Sequence, residues 1–433
     1  MRGETTEKAG IVPFAKFFAV FGFALFSLLL ILFLLEISSG VFLSAYWNYW
    51  HSPLRRLQVN SPPNQYACRG TGSGGCPVFA DVWDMLSASP AYDGYSWAED
   101  FWKEFRAYIA RDLIPPYEPF RLWGMWKTQG QYINVDDTAI GRVRRTVNRL
   151  RPGCDNQTTV KVWFFGGSTA FGSVPDFATI PSYLSEKLND QGAGCVEVIN
   201  LGVPAYNTNQ ELIYLIQELK AGRPPNAVIF YDGINDAVIG ALEPALASTH
   251  ASYIQIKAKF ESPVISLPGL AARSHAAQLA AAVRHRLLKD LVPRRSQDQY
   301  ASLAHITLDN YESNIQLARR LGKAYGFEVY AFWQPNLLYG NKPLGAFEKM
   351  LVSVYGYQTA ACRAVYEEAE GRSTSAGNFV FLGRLFEAVS GPIFIDWAHV
   401  GPRGDEIVAD AMARVVSSTS LLHTGKHSPV PAR

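Results

Sequence analysis

From residue 160 onward the sequence alternates short apolar runs with longer stretches of helical periodicity, and this narrows the fold more than any other feature. VKVWFFGG, VEVINLG, NAVIFYDG and EVYAFWQP each predict a buried strand. IPSYLSEKLND, TNQELIYLIQELKAG and LDNYESNIQLARRLGKAYG predict helices, and Gly222 and Pro224 stop the second of them. Strands of four to seven apolar residues alternating with helices predict a parallel sheet covered on both faces, an α/β fold.

Composition removes several classes. With 433 residues, 48% hydrophobic and 18% charged, the chain can bury a core and is not intrinsically disordered. Forty Lys+Arg against 38 Asp+Glu leave a net charge of +2, which gives no electrostatic footprint for nucleic acid. Five cysteines without a CxxC pair speak against a disulfide scaffold or a zinc site. Neither GxGxxG nor GxxxxGK[ST] follows a strand, so no dinucleotide or phosphate cofactor is expected, and no other cofactor is implied.

Residues 17–35 read FFAVFGFALFSLLLILFLL, without a charge, bracketed by Lys16 and Glu36 and followed by Tyr46, Trp47, Tyr49 and Trp50. A helix of that length spans the hydrocarbon core of a bilayer, and the aromatics fall where an interfacial belt would lie. A buried core helix and a cleaved signal peptide are the alternatives. The run exceeds an ordinary signal h-region and no small-x-small site closes it. The expectation is therefore a single-pass signal anchor. Arg2, Lys8 and Lys16 before the span, against Arg55 and Arg56 after it, give a bias toward a cytoplasmic amino end and a periplasmic or extracellular remainder. Cys154 and Cys195 precede consecutive predicted strands, and would meet at one sheet edge if those strands are parallel neighbours. Cys68 and Cys76 flank a Gly-rich loop, Cys362 is left over, and unpaired buried thiols are the other reading of all five.

The expected organisation is residues 1–45 as stub and anchor, 46–157 as an aromatic-rich extension, 158–416 as the α/β domain, and 417–433 as a tail. Within the extension, Trp97, Phe101, Phe105 and Ile109 recur at helical spacing, and the segment that follows reads as loops with a short hairpin. Residues 237–299 interrupt the domain. Their basic, Ala-rich stretch reads first as a solvated helix, with a cover over the site or a surface on anionic lipid as alternatives.

Four stretches carry potential chemistry, and in an open parallel sheet residues just past the strand ends converge. Gly166-Gly167-Ser168-Thr169 sets a serine on a glycine turn, suited to a nucleophile whose own N–H serves as an oxyanion donor. Gly202, after the second strand, could present a bare N–H, and Asn235, after the third, an uncharged amide donor. Asp396-Trp397-Ala398-His399 places a carboxylate where it can fix an imidazole tautomer while the ring accepts a proton from a serine. Each stretch also has a bland reading as helix cap, turn or surface pair. Their joint occurrence in this order is what carries weight.

The set resembles the four blocks of the SGNH hydrolase superfamily, the GDSL esterases and lipases. The order Ser168, Gly202, Asn235, His399 is similar to the family's Ser, Gly, Asn, His, with Asp396 in the DxxH position. The first block reads GGST where many members have GDS, and with the amino-terminal span it looks like a membrane-anchored bacterial branch. The resemblance implies a three-layer α/β/α flavodoxin-like fold and acyl transfer through an ester of Ser168, without metal. Asp396 and His399 would complete the catalytic set, and Ser168, Gly202 and Asn235 would form the oxyanion hole. The substrate class it implies is an acylated carbohydrate or lipid. An O-acyltransferase acting on an envelope polysaccharide is the alternative within this chemistry, and an inert glycan-binding scaffold is the alternative outside it.

Overall fold

A computed structural model describes residues 82–109, 115–155, 159–190, 195–242, 247–251, 296–356, 359–373 and 379–418, with a few isolated positions besides. The anchor expected at 17–35, the Cys68–Cys76 loop, most of the 237–299 interruption and the tail lie outside these residues. Among the described residues no helix is long and apolar enough to cross a membrane.

The strands are β1 (Thr128–Gln129), β2 (Asn134–Thr138), β3 (Gly141–Arg144), β4 (Thr159–Gly166), β5 (Cys195–Asn200), β6 (Ala227–Asp232), β7 (Glu328–Trp333) and β8 (Phe379–Phe381). The helices are α1 (Val82–Ser87), α2 (Ala98–Ile109), α3 (Ser168–Phe171), α4 (Ile180–Asp190), α5 (Thr208–Lys220), α6 (Ile234–Leu242), α7 (Gln297–Tyr325), α8 (Ala346–Tyr355), α9 (Thr359–Arg372) and α10 (Pro402–Ser417). The strands form one sheet in the order β1-β2-β3-β5-β4-β6-β7-β8, parallel from β5 through β8. Counting only the parallel strands in chain order, this is the 2-1-3-4-5 arrangement of flavodoxin-like folds.

The sequence dictates this arrangement through burial. In β4, Val162, Trp163, Phe164 and Phe165 are at most 3% exposed, and every residue of β6 is buried, so these strands can occupy only the centre. The chain moves from β4 outward to β5 and then back across to β6. Right-handed crossovers running in opposite directions put their helices on opposite faces. Accordingly α4 packs with α10, while α5, α6 and α9 pack with α7. The reversal puts the topological switch point at the carboxyl end of β4, where Ser168 follows.

Helix α7 begins earlier than the apolar periodicity indicates. Ser296 Oγ accepts from Gln299 N–H at 3.3 Å and Gln299 Oε1 accepts from Ser296 N–H at 2.8 Å, a capping box that starts the helix inside the expected interruption.

The outer edge of β5 is closed by three devices. Asn189 and Asn148 side chains each exchange two hydrogen bonds with the backbone, at Val196 and Val198 respectively. At Asn200 the edge is taken by β3, antiparallel, through Arg144. A strand edge so occupied cannot recruit another chain. Residues 82–109 and 115–144 thus belong to one compact unit with the parallel sheet. Cys154 and Cys195 are bonded, with Cα atoms 5.6 Å apart, at the end of the sheet opposite Ser168. Cys362 is free and buried, and its sulfur accepts from Asn336 Nδ2 at 2.7 Å.

Candidate active site

Strand β4 delivers Ser168 through two glycines that have no room for a side chain. A Cβ at Gly166 would lie 2.6 Å from Ala170 Cβ and 2.7 Å from Tyr231 O, and one at Gly167 would lie 2.2 Å from Asn235 Nδ2. Ser168 then opens the single turn α3. A first-turn N–H has no intrahelical acceptor, so the Ser168 amide is left to serve something else.

His399 arrives from the far end of the chain on a tight loop closed by Ile395 N–H to His399 O at 3.0 Å and Gly401 N–H to Ile393 O at 2.8 Å. Asp396 Oδ1 accepts the N–H groups of Ala398 (2.7 Å) and His399 (2.6 Å), which shapes the loop, and Oδ2 lies 2.7 Å from His399 Nδ1. His399 Nε2 lies 2.8 Å from Ser168 Oγ. A carboxylate can only accept, so Nδ1 carries the proton, Nε2 presents its lone pair, and the Ser168 hydroxyl donates to it. Burial pushes the Asp396 carboxyl up. The His399 charge and the ring and backbone donors outweigh that and hold it below the ordinary carboxylate value. For His399, burial favours the neutral ring, but the facing Asp396 carboxylate lifts it above the ordinary imidazole value.

The two remaining expected residues lie beside this row. Asn235, second residue of α6, sends Nδ2 to Tyr206 O at 2.6 Å, leaving its other amide hydrogen. The Gly202 N–H is committed within the chain, donating to Asn200 Oδ1 at 3.0 Å. Gly202 has a steric role that the sequence reading did not include: a Cβ there would lie 2.6 Å from Phe171 N and 2.8 Å from Ala170 C, so its backbone abuts α3. Asn200 Nδ2 also donates to Ala170 O at 3.0 Å, tying the end of β5 to the serine's turn.

Sequence reasoning missed several residues that hold these loops. Glu348, fully buried on α8, accepts from Ile393 N–H at 3.0 Å and Phe394 N–H at 3.1 Å, and from Lys342 Nζ at 2.7 Å, fixing the approach to Asp396. Gln334, past β7, accepts from Thr169 Oγ1 at 3.1 Å, and Leu337 N–H donates to Trp397 O at 3.0 Å. Only the Gln334 position, just after a strand, carried a signal for this. Three buried acids sit on α5, β6 and α6. Burial raises Glu211 and Asp232, and raises Asp236 to about 6 despite a hydrogen bond from Thr208 Oγ1 at 2.6 Å. Neither Glu211 oxygen meets a donor, so this carboxyl is held in its protonated form.

No family model and no curated protein matches the chain. Several solved structures do. An acetyl xylan esterase shares 15% identity, with 59% of this chain and 100% of that one covered and a TM-score of 0.30. A carbohydrate acetylesterase from Sinorhizobium meliloti shares 15%, covering 60% and 99%, TM-score 0.30. A member of the lipolytic G-D-S-L family from Veillonella parvula shares 12%, covering 60% and 100%, TM-score 0.32. At such values the chemistry must be read from the atoms themselves, which here align a carboxylate, an imidazole and a hydroxyl at hydrogen-bond distances.

Proposed function

We propose that this chain is a serine esterase of SGNH type that cleaves an O-acyl or O-acetyl ester of a carbohydrate or lipid through an acyl-Ser168 intermediate. The observation that carries the reading is the unbroken row Asp396, His399, Ser168, with separations of 2.7 and 2.8 Å. Ser168 Oγ attacks the ester carbonyl while His399 Nε2 takes its proton. The imidazolium, held by Asp396, passes that proton to the departing alcohol. Water then repeats the sequence on the acyl-serine and releases the acid. The Ser168 N–H and the Asn235 amide are the donors assigned to the developing oxyanion. Gly202 N–H joins them only by leaving Asn200.

The proposal includes an anchor at residues 17–35 with the site outside the cytoplasm. The apolar run supports this, as does the Cys154–Cys195 bond, since such bonds persist in oxidising compartments. The testing experiment is a hydrolysis screen against short acyl esters and acetylated sugars, paired with an active-site-directed phosphonate. Wild type is expected to hydrolyse an ester and to be labelled at Ser168, and Ser168→Ala to do neither while remaining folded. A folded wild type that takes no phosphonate refutes the nucleophile.

A further inference from the structure

The turn that presents Ser168 is only four residues long, and a helix that stops so soon leaves its last carbonyls without intrahelical donors. In this chain the last two, and the carbonyls of the three residues that follow, are met from outside. Ala170 O accepts from Asn200 Nδ2, and Ser173 O accepts from Tyr92 OH. The other three belong to one side chain. Arg144 Nη1 donates to Phe171 O at 3.2 Å and to Gly172 O at 3.1 Å, and Nη2 donates to Val174 O at 2.7 Å. Its Nε donates to Asp176 Oδ1 at 2.7 Å, and its guanidinium carbon stands 4.6 Å from the centre of the Phe171 ring. Asp176 is held in turn by Asn134 Nδ2 at 2.8 Å.

Arg144 is fully buried, and an uncompensated charge would not remain there. It also sits on β3, ahead of the parallel sheet, at the residue that pairs with Asn200. One residue therefore joins the amino-terminal hairpin to the edge of the sheet and stops the turn on which the hydroxyl is mounted.

We propose that Arg144 is a positioning residue for Ser168: its planar fork, gripping the carbonyls of residues 171, 172 and 174, sets the orientation of α3 and so the aim of the Ser168 hydroxyl at His399. The inference rests on the esterase reading. Lysine keeps the charge but offers a point donor in place of a fork, so it cannot hold three carbonyls in one plane.

The experiment compares Arg144→Lys with wild type by phosphonate active-site titration followed by steady-state hydrolysis of p-nitrophenyl acetate. A purely structural role lowers the number of titratable sites and leaves turnover per site unchanged. Positioning lowers kcat per titrated site, by roughly 10- to 100-fold, because small misplacements of a reacting group cost that much. KM is expected to stay within about twofold, as Arg144 meets no substrate. The acid limb of the pH profile is expected to stay in place, since the Asp396–His399 pair is untouched. Wild-type turnover per site in Arg144→Lys overturns the proposal. Asp176→Asn, which leaves the fork its carbonyls but weakens its anchor, provides the test if the lysine variant does not fold. It should lose about 3- to 10-fold in kcat per site, and unchanged turnover there overturns the proposal equally. Failure of wild type to take the phosphonate is a different result and removes the esterase reading itself.

Discussion

Replacing Asp396 by asparagine tests the logic of the site more sharply than deleting the nucleophile. Asp396 Oδ1 already accepts two backbone N–H groups, at 2.7 and 2.6 Å. In Asp396→Asn the single amide oxygen must stay with those donors, which turns the NH2 group toward the ring. A donor facing Nδ1 demands a lone pair there, so the imidazole proton moves to Nε2, the atom that must accept from Ser168. The loop survives and the base is lost. Losing the orienting carboxylate in this way is expected to lower kcat by about 10³–10⁴, or about 4–5.5 kcal/mol in the barrier.

The pH profile moves as well. In wild type the facing carboxylate lifts His399 above its ordinary value, so activity should fall as pH drops through a point above about 6.5. Without that charge burial alone remains, and burial favours the neutral ring, so the acid limb of the residual activity should shift below about 6.5. Hydrolysis of a chromogenic ester from pH 5 to 9, with folding checked by circular dichroism, measures both effects. An Asp396→Asn enzyme within tenfold of wild type, with its acid limb in place, would refute the assigned tautomer and the role of Asp396.

Other expectations follow from single contacts. Asn235→Ala should lower kcat by about 10²–10³ with little change in KM, read by steady-state kinetics. Gly167→Ala places a Cβ 2.2 Å from Asn235 Nδ2 and should displace that donor, costing roughly tenfold or more in kcat while phosphonate still reaches Ser168. Cys154→Ser opens a bond between residues 41 apart in sequence and should cost about 4 kcal/mol in urea unfolding, with turnover nearly unchanged because the bond lies at the other end of β4 and β5. The buried acids Glu211, Asp232 and Asp236 have folded values raised above the unfolded ones. Stability should therefore fall as pH rises from about 4, through about 6 for Asp236, with Glu211 and Asp232 adding to the fall. Glu211→Gln should match wild type near pH 4.5 and exceed it at pH 8 in urea midpoint measurements.

The parallel core was legible because its burial is written into composition. Apart from Lys161, which is exposed, VKVWFFG offers solvent no polar side chain, and β4 is accordingly buried from Val162 to Gly166. The residues assigned to the proposed reaction stood out as candidates because each follows a strand or sits in a short Asp-x-x-His spacing. What stayed hidden depends on contacts distant in sequence. β3 reads as GRVR, an ordinary exposed hairpin strand, and nothing local says that Arg144 will be buried against residues 171–174. Glu348 looks like any helical surface acid until the 391–394 segment folds over it. The Gly202 N–H was available in sequence and is occupied in the structure, because Asn200, two residues earlier, turns its own side chain back onto it.

The hydroxyl and the imidazole that meet at 2.8 Å are separated by 231 residues of chain. Everything from β4 to the loop that carries His399 must be made and docked before the proton has anywhere to go. A growing or truncated polypeptide ending short of His399 would carry a complete serine turn and remain chemically silent. On the proposed reaction, the long connection withholds bond-breaking power until synthesis of the core is nearly finished.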